Sequence, residues 1–148
     1  LLYKSVISEE LKEQGYKFQT MTYKRFASLP RDEALETLGS RILNNMQVTH
    51  ETILHCYNNG YCYRISSDLF PLITYTAASV SLHDLPQYTD IMEEIDSIAY
   101  SIQQNNVRVS CHPSEYNVLA STNTESVDKT IKELNFFFPL IIFDLNLL

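Results

Sequence analysis

Three short strand-like runs, each followed by a stretch with apolar residues three and four apart, divide this chain. The first run, residues 4–8 (KSVIS), is brief. The second, 61–66 (YCYRIS), and the third, 107–111 (VRVSC), carry the β-branched and aromatic residues that suit a pleated, half-buried strand. Between them, Leu35, Leu38, Ile42, Met46, Ile53 and Cys56 fall on one face of a helix that starts at Asp32 and stops at Asn58, Asn59 and Gly60. A second helix opens at Asp84 and Pro86, carries Ile91, Ile95, Ile98 and Ile102, and ends over residues 103–106. A third starts around Thr124 and Asp128, with Val127, Ile131, Leu134 and Phe138 on one face. Strands that alternate with helices of this length predict parallel strands joined by crossover helices.

No GxGxxG or GxxxxGK run follows any of the strands, which argues against dinucleotide and P-loop binding. The remaining large α/β class is the TIM-type (β/α)8 barrel, whose chemistry gathers at the C-terminal ends of the strands. Polar residues stand at those ends here: Ser66, Ser67 and Asp68 after the second strand, and His112, Glu115 and Tyr116 after the third. A full barrel needs about 250 residues. A chain of 148 supplies only the first three to four βα units, as a single domain over 1–148.

Net charge is −7, which disfavours indiscriminate nucleic-acid binding by the chain as a whole. The opening segment differs: Lys4, Lys12, Lys17, Lys24, Arg25 and Arg31 outnumber Glu9, Glu10 and Glu13, which suits local phosphate contact. Lys24 and Arg25 taken singly are expected to be solvated charges. No run reaches the roughly 20 apolar residues of a membrane span, and Lys4, Glu9 and Glu10 interrupt any leader-like start. The expectation is an intracellular protein with a trimmed start, cytoplasmic or, in a eukaryote, nuclear. Cys56, Cys62 and Cys111 show no CxxC spacing and are expected as free thiols.

Four stretches in order, KFQTMTYKRFASLP, ILNNMQVTHETILHCYNNG, YRISSDLFPL and RVSCHPSEYNVLAS, resemble the UV damage endonuclease family. The resemblance runs from about Val6 to Leu134, and YRISSDLFPL and the HPSEY loop are its most specific parts. It implies a metal-dependent (β/α)8 barrel that nicks the DNA backbone on the 5′ side of UV photoproducts. It places His112 on a histidine that ligates a divalent ion, often Mn²⁺. Glu115 and Tyr116 fall on a two-residue probe, usually Gln followed by an aromatic, that enters the duplex at the lesion. An ionised Glu115 has no proton to donate there.

The chain also departs from the family. Tyr75 stands where relatives carry a further ligating histidine, and Asp68 is the nearby carboxylate that suits Mn²⁺. Tyr3, Lys4, Ser5 and Val6 match the family's first strand poorly. No histidine stands at Glu133, Leu134, Asn135, Phe136 or Phe137, where another is expected, and the later ligands would come from strands beyond Leu148. One histidine alone is more often a strand-end hydrogen-bonding group than a metal ligand.

The plain readings beside these are specific. Ser66 and Ser67 either cap the strand end or donate to phosphate. Arg64 is expected to be ion-paired inside the sheet, His50, His55 and His83 to be bystanders, and Tyr57, Tyr61 and Tyr63 to be core or interface. The competing functions are a sugar-isomerase-like metal barrel and a truncated, catalytically inactive fragment. Double-stranded DNA with UV lesions is the expected partner, with no membrane and with self-association through exposed half-barrel edges.

Overall fold

The structure is a computed structural model that describes the backbone of residues 3–4, 7–111 and 119–139 and the side chains of 7–111 and 119–136. Three parallel strands, β1 (Tyr3–Lys4), β2 (Cys62–Ile65) and β3 (Val109–Cys111), form a sheet in the order β1-β2-β3. The register pairs Tyr3 with Cys62, Tyr63 with Val109 and Ile65 with Cys111. Crossovers run through the helices α3 (Arg31–Asn59) and α4 (Tyr88–Asn105). These two pack on each other, so both lie on one face of the sheet. Sequential strand order with helices on one face is the singly wound α/β arrangement.

The sequence dictates where the long helices stop. Gly60 adopts φ 68°, in the left-handed region that a residue with Cβ enters at a cost, and Tyr61 N–H returns to the Cys56 carbonyl at 2.8 Å. Asn106 does the same for α4 at φ 50°. Leu38, Ile42, Met46, Ile53 and Cys56 are buried as their spacing predicts, while Leu35 is half-buried. Ile91, Ile95, Ile98 and Ile102 answer them from α4.

The buried face of α3 is wider than its apolar pattern, because Asn45, Thr49 and Thr52 are also inside. Each threonine hydroxyl donates to the carbonyl four residues back, Thr49 to Asn45 (2.8 Å) and Thr52 to Val48 (2.7 Å). That internal bond lets a polar residue enter the core without stranding its proton.

Several expectations need correction. The first strand is expected at 4–8, but Ser8 is the N-cap of a short helix α1 (Glu9–Glu13), its hydroxyl accepting from Leu11 N–H at 3.3 Å. The loop after it holds another helix, α2 (Tyr23–Ala27), capped by Thr22. Asp84 does not start α4. Its carboxylate closes a turn at residues 82–84 by accepting from the N–H (2.7 Å) and hydroxyl (2.9 Å) of Ser81, bonds that hold its pKa below the ordinary carboxylate range. In α5 (Thr124–Pro139) Ile131 is 43% exposed, and Thr130 takes the buried position, its hydroxyl donating to Ser126.

Cys56 and Cys62 are buried free thiols, and Cys111 is half-buried. His50 bridges α3 to α4, its Nδ1 2.7 Å from Glu94 and its Nε2 2.8 Å from Ser101. His55 faces Glu10 of α1 at 3.8 Å. Both contacts tie α3 to a neighbouring helix.

Two buried polar groups make a contrast. Asn45 is 0% exposed, and its carboxamide accepts from Gln19 N–H (2.8 Å) while donating to the carbonyls of Gln19 (2.9 Å) and Leu69 (3.1 Å). Tyr63 is also 0% exposed, and its hydroxyl lies beside those of Thr49 and Thr52 without a well-directed hydrogen bond to either, since both threonine protons go to backbone carbonyls. Burial, then the Cys56 thiol, push its phenol above the ordinary value. Asn45→Leu should cost roughly 3 kcal/mol, since it orphans buried backbone groups, whereas Tyr63→Phe should change stability by less than about 1 kcal/mol or raise it. Urea unfolding of the two variants checks this, and a larger loss for Tyr63→Phe would contradict it.

Candidate functional site

The register that pairs Ile65 with Cys111 makes the chain leave β2 and β3 at the same level. Ser66 follows one strand end directly. His112, Glu115 and Tyr116, expected after the other, lie outside the described residues.

At the β2 end, the hydroxyl of Ser66 accepts from Asp68 N–H at 3.1 Å and starts the turn Ser67–Leu69. Ser66 thus caps its strand end, with its own proton still available to donate. Asp68 is exposed, and its carboxylate makes no hydrogen bond or ion pair among the described residues. It is the serine that holds the turn, not the aspartate.

Ser67 and Asp68 line an open cavity of about 290 Å³ with Thr20, Met21, Thr74 and Glu133. Three separate parts of the chain meet there. Residues 17–20 are fixed to α3 by side chains from two successive turns: Arg41 donates to the Thr20 carbonyl, and one turn on Asn44 donates to Lys17 (2.9 Å) and Asn45 to Gln19 (2.9 Å). The second wall is the loop after Pro71, where Leu72 holds φ 66°. A left-handed leucine is strained by about 1–2 kcal/mol, a cost that collects at binding rims. The third wall is α5, seated on the core by Phe136, which packs edge-on against Phe70 at 5.2 Å.

Glu133 opens the stretch where the family resemblance expects a further histidine, and the structure puts its carboxylate on the cavity wall instead. Its placement follows from the rotated face of α5, three residues after buried Thr130. Together Asp68 and Glu133 put two carboxylates on the cavity wall, but no group of three or more His, Cys, Asp or Glu able to hold a metal exists among the described residues. The described part of the site therefore does not make a metal centre. Arg64 sits half-buried on β2 behind this edge.

Residues 3–143 match the model of the UV-endonuclease UvdE family. The chain belongs to that family. A UV DNA damage endonuclease of Nostoc sp. is 35% identical over 129 residues, covering 82% of this chain and 37% of the relative. One from Bacillus velezensis is 27% identical over 124 residues, covering 83% and 37%. The crystal structure of SacUVDE shares the fold with TM-score 0.72 at 23% identity, over 97% of this chain and 45% of that one. This UvdE-family chain thus spans little more than a third of the length of the Nostoc and Bacillus relatives.

Cys111, the last residue of β3, has its thiol pushed up to about 11 by burial and, secondarily, by Glu133. The neutral thiol persists across ordinary pH, so its thiolate fraction at pH 8 is roughly a hundredfold below that of a thiol titrating at 9. Unfolding restores the lower value, so the stability held below the ordinary thiol pKa is lost as pH climbs through that window. Alkylation of Cys111 by iodoacetamide, followed by mass spectrometry, should show a midpoint near 11. A midpoint at or below the ordinary value would contradict the burial.

Proposed function

We propose that this chain is part of a UV-damage DNA endonuclease that nicks the phosphodiester 5′ to a photoproduct. The family match over residues 3–143 carries this reading. The strand ends agree with it, because the serine and carboxylate side chains of residues 66–68 gather where singly wound α/β enzymes hold their substrates. In this reading the three βα units close, with further units, into a (β/α)8 barrel.

The substrate is double-stranded DNA with a UV lesion. Ser66 and Ser67 donate to backbone phosphate, and Glu115 and Tyr116 face the lesion. A damaged step is already poorly stacked, so extruding it costs less than extruding a normal pair, and selectivity follows from deformability. Divalent ions, Mn²⁺ first, belong to the same proposal, with His112 and Asp68 as donors. The described residues alone do not form that centre. A repair enzyme of this kind works inside the cell, in the cytoplasm or a nucleus. Among the described residues no helix is long and apolar enough to cross a membrane.

Binding to a duplex with one defined thymine dimer tests the reading. The chain should prefer it over the undamaged duplex at least about threefold, a modest share of the free energy of unstacking a base step. Any nick formed with Mn²⁺ should lie immediately 5′ to the dimer and vanish with chelator. Equal affinity for both duplexes and no Mn²⁺-dependent nick would contradict it.

Self-association is a second expectation. The outer edges of β1 and β3 have no strand partner among the described residues, and Leu119 and Ile131 are exposed apolar groups. Sedimentation velocity should show a coefficient that rises with concentration. A concentration-independent monomer would contradict this.

A further inference from the structure

Beside the cavity at the strand ends lies a pair of exposed tyrosines that neither the capping nor the core requires. Tyr23, on α2, is 39% exposed and Tyr75 is 46% exposed, and their ring centroids are 5.3 Å apart. Each adjoins a residue of the cavity wall, since Met21 and Thr74 line it two residues and one residue away. The backbone beneath the pair is fixed: Arg31 donates to the carbonyls of Ala78 (3.1 Å) and Ser79 (2.8 Å), and its guanidinium lies 5.3 Å from the Phe26 ring centroid. Between these parts is a cavity of about 220 Å³, walled by Tyr23, Phe26, Ala27 and the alanines 77 and 78. Large aromatic rings at that exposure gain nothing from water and are free to stack a flat ligand.

The charge around the pair is selective. In a chain of net charge −7, residues 14–31 contain Lys17, Lys24, Arg25 and Arg31 and no carboxylate, and residues 69–83 contain no carboxylate either. Lys24 and Arg25 stand exposed beside Tyr23, and Lys132 of α5 reaches the Thr76 hydroxyl at 3.4 Å. The two rings are tilted 55° to each other, so a base would stack on the open face of one of them with the other at its edge. Lys24, Arg25 and Lys132 complement the flanking phosphates, while Asp68 and Glu133 stand on the wall of the neighbouring cavity.

We infer that Tyr23 and Tyr75 form a stacking platform for an unstacked base of the DNA strand, with Lys24, Arg25 and Lys132 holding the flanking phosphates. The inference rests on the reading of the chain as part of a DNA endonuclease. It gives Tyr75, which stands where a ligating histidine is expected from the family resemblance, a role in substrate binding. It also gives Lys24 and Arg25 a role that neither has as an isolated solvated charge.

The test is fluorescence anisotropy of the 148-residue chain with a labelled dimer-containing duplex and with labelled oligo(dT). Tyr23→Ala and Tyr75→Ala should each weaken binding roughly 5- to 150-fold, the range of one lost base–aromatic stack. Tyr23→Phe and Tyr75→Phe should bind like the parent, and so should Tyr100→Ala, which removes an exposed ring from α4. The chain has no tryptophan, so Tyr75→Trp places a single reporter on the platform, and DNA should quench it. That readout serves if an alanine variant fails to fold. If the parent binds DNA while the alanine variants bind equally and the reporter's indole emission is unchanged, the platform is overturned and the endonuclease reading stands. If the parent binds neither probe, the reading and the platform fall together.

Discussion

One buried carboxamide organises the functional end of this molecule. Asn45 enters the core from α3 with no water contact and makes three bonds to backbone, two on Gln19 and one on Leu69, while its oxygen also accepts a longer bond from the Asn44 side chain (3.4 Å). Those two residues belong to loops far apart in sequence. An apolar side chain of the same size would fill the space yet leave the peptide groups unpaired, and buried peptide groups without partners are costly. Asn45 therefore fixes where two walls of the cavity stand relative to each other. Arg41 and Asn44, on the same side of α3, extend the clamp to Thr20 and Lys17.

What this clamp positions is a face with segregated charge. Residues 14–31 present cations and no carboxylate beside the two rings, while Asp68 and Glu133 put carboxylates on the cavity wall next to them. In a chain of net charge −7, that cationic segment favours one orientation of a polyanion, with its phosphates toward residues 14–31 and away from Asp68 and Glu133. The parallel register then sets Ser66 and the end of β3 at a common level beside it. Membership in the UvdE family gives that face an interpretation, and the chain spans little more than a third of the length of its Nostoc and Bacillus relatives.

The sequence discloses what periodicity can carry. Long helices average their signal over many turns, so α3 and α4 and their stops at Gly60 and Asn106 are legible, as are β2 and β3. Helices of five residues, such as α1 and α2, have too few turns to show a period and are marked only by caps at Ser8 and Thr22. Thr49, Thr52 and Thr130 are counted polar by any pattern but bury themselves through bonds within their own helix, which is why the face of α5 is rotated away from Ile131. Among the site residues, Ser66, Ser67 and Asp68 stand together at one strand end as their positions suggest. Glu133 is marked in the sequence only as a place where the resemblance expects a histidine, its seat on the cavity wall depends on the packing of α5, and His112, Glu115 and Tyr116 lie outside the described residues.

The central claim is that the face built on the Asn45 clamp is the one that meets damaged DNA. Hydrogen–deuterium exchange of the chain, alone and with a duplex carrying one thymine dimer, tests it most directly. The account predicts slowed exchange in residues 17–31 and 66–83, with the outer surface of α4 unchanged. Protection confined to α4, or no protection at a DNA concentration that saturates binding, would contradict it.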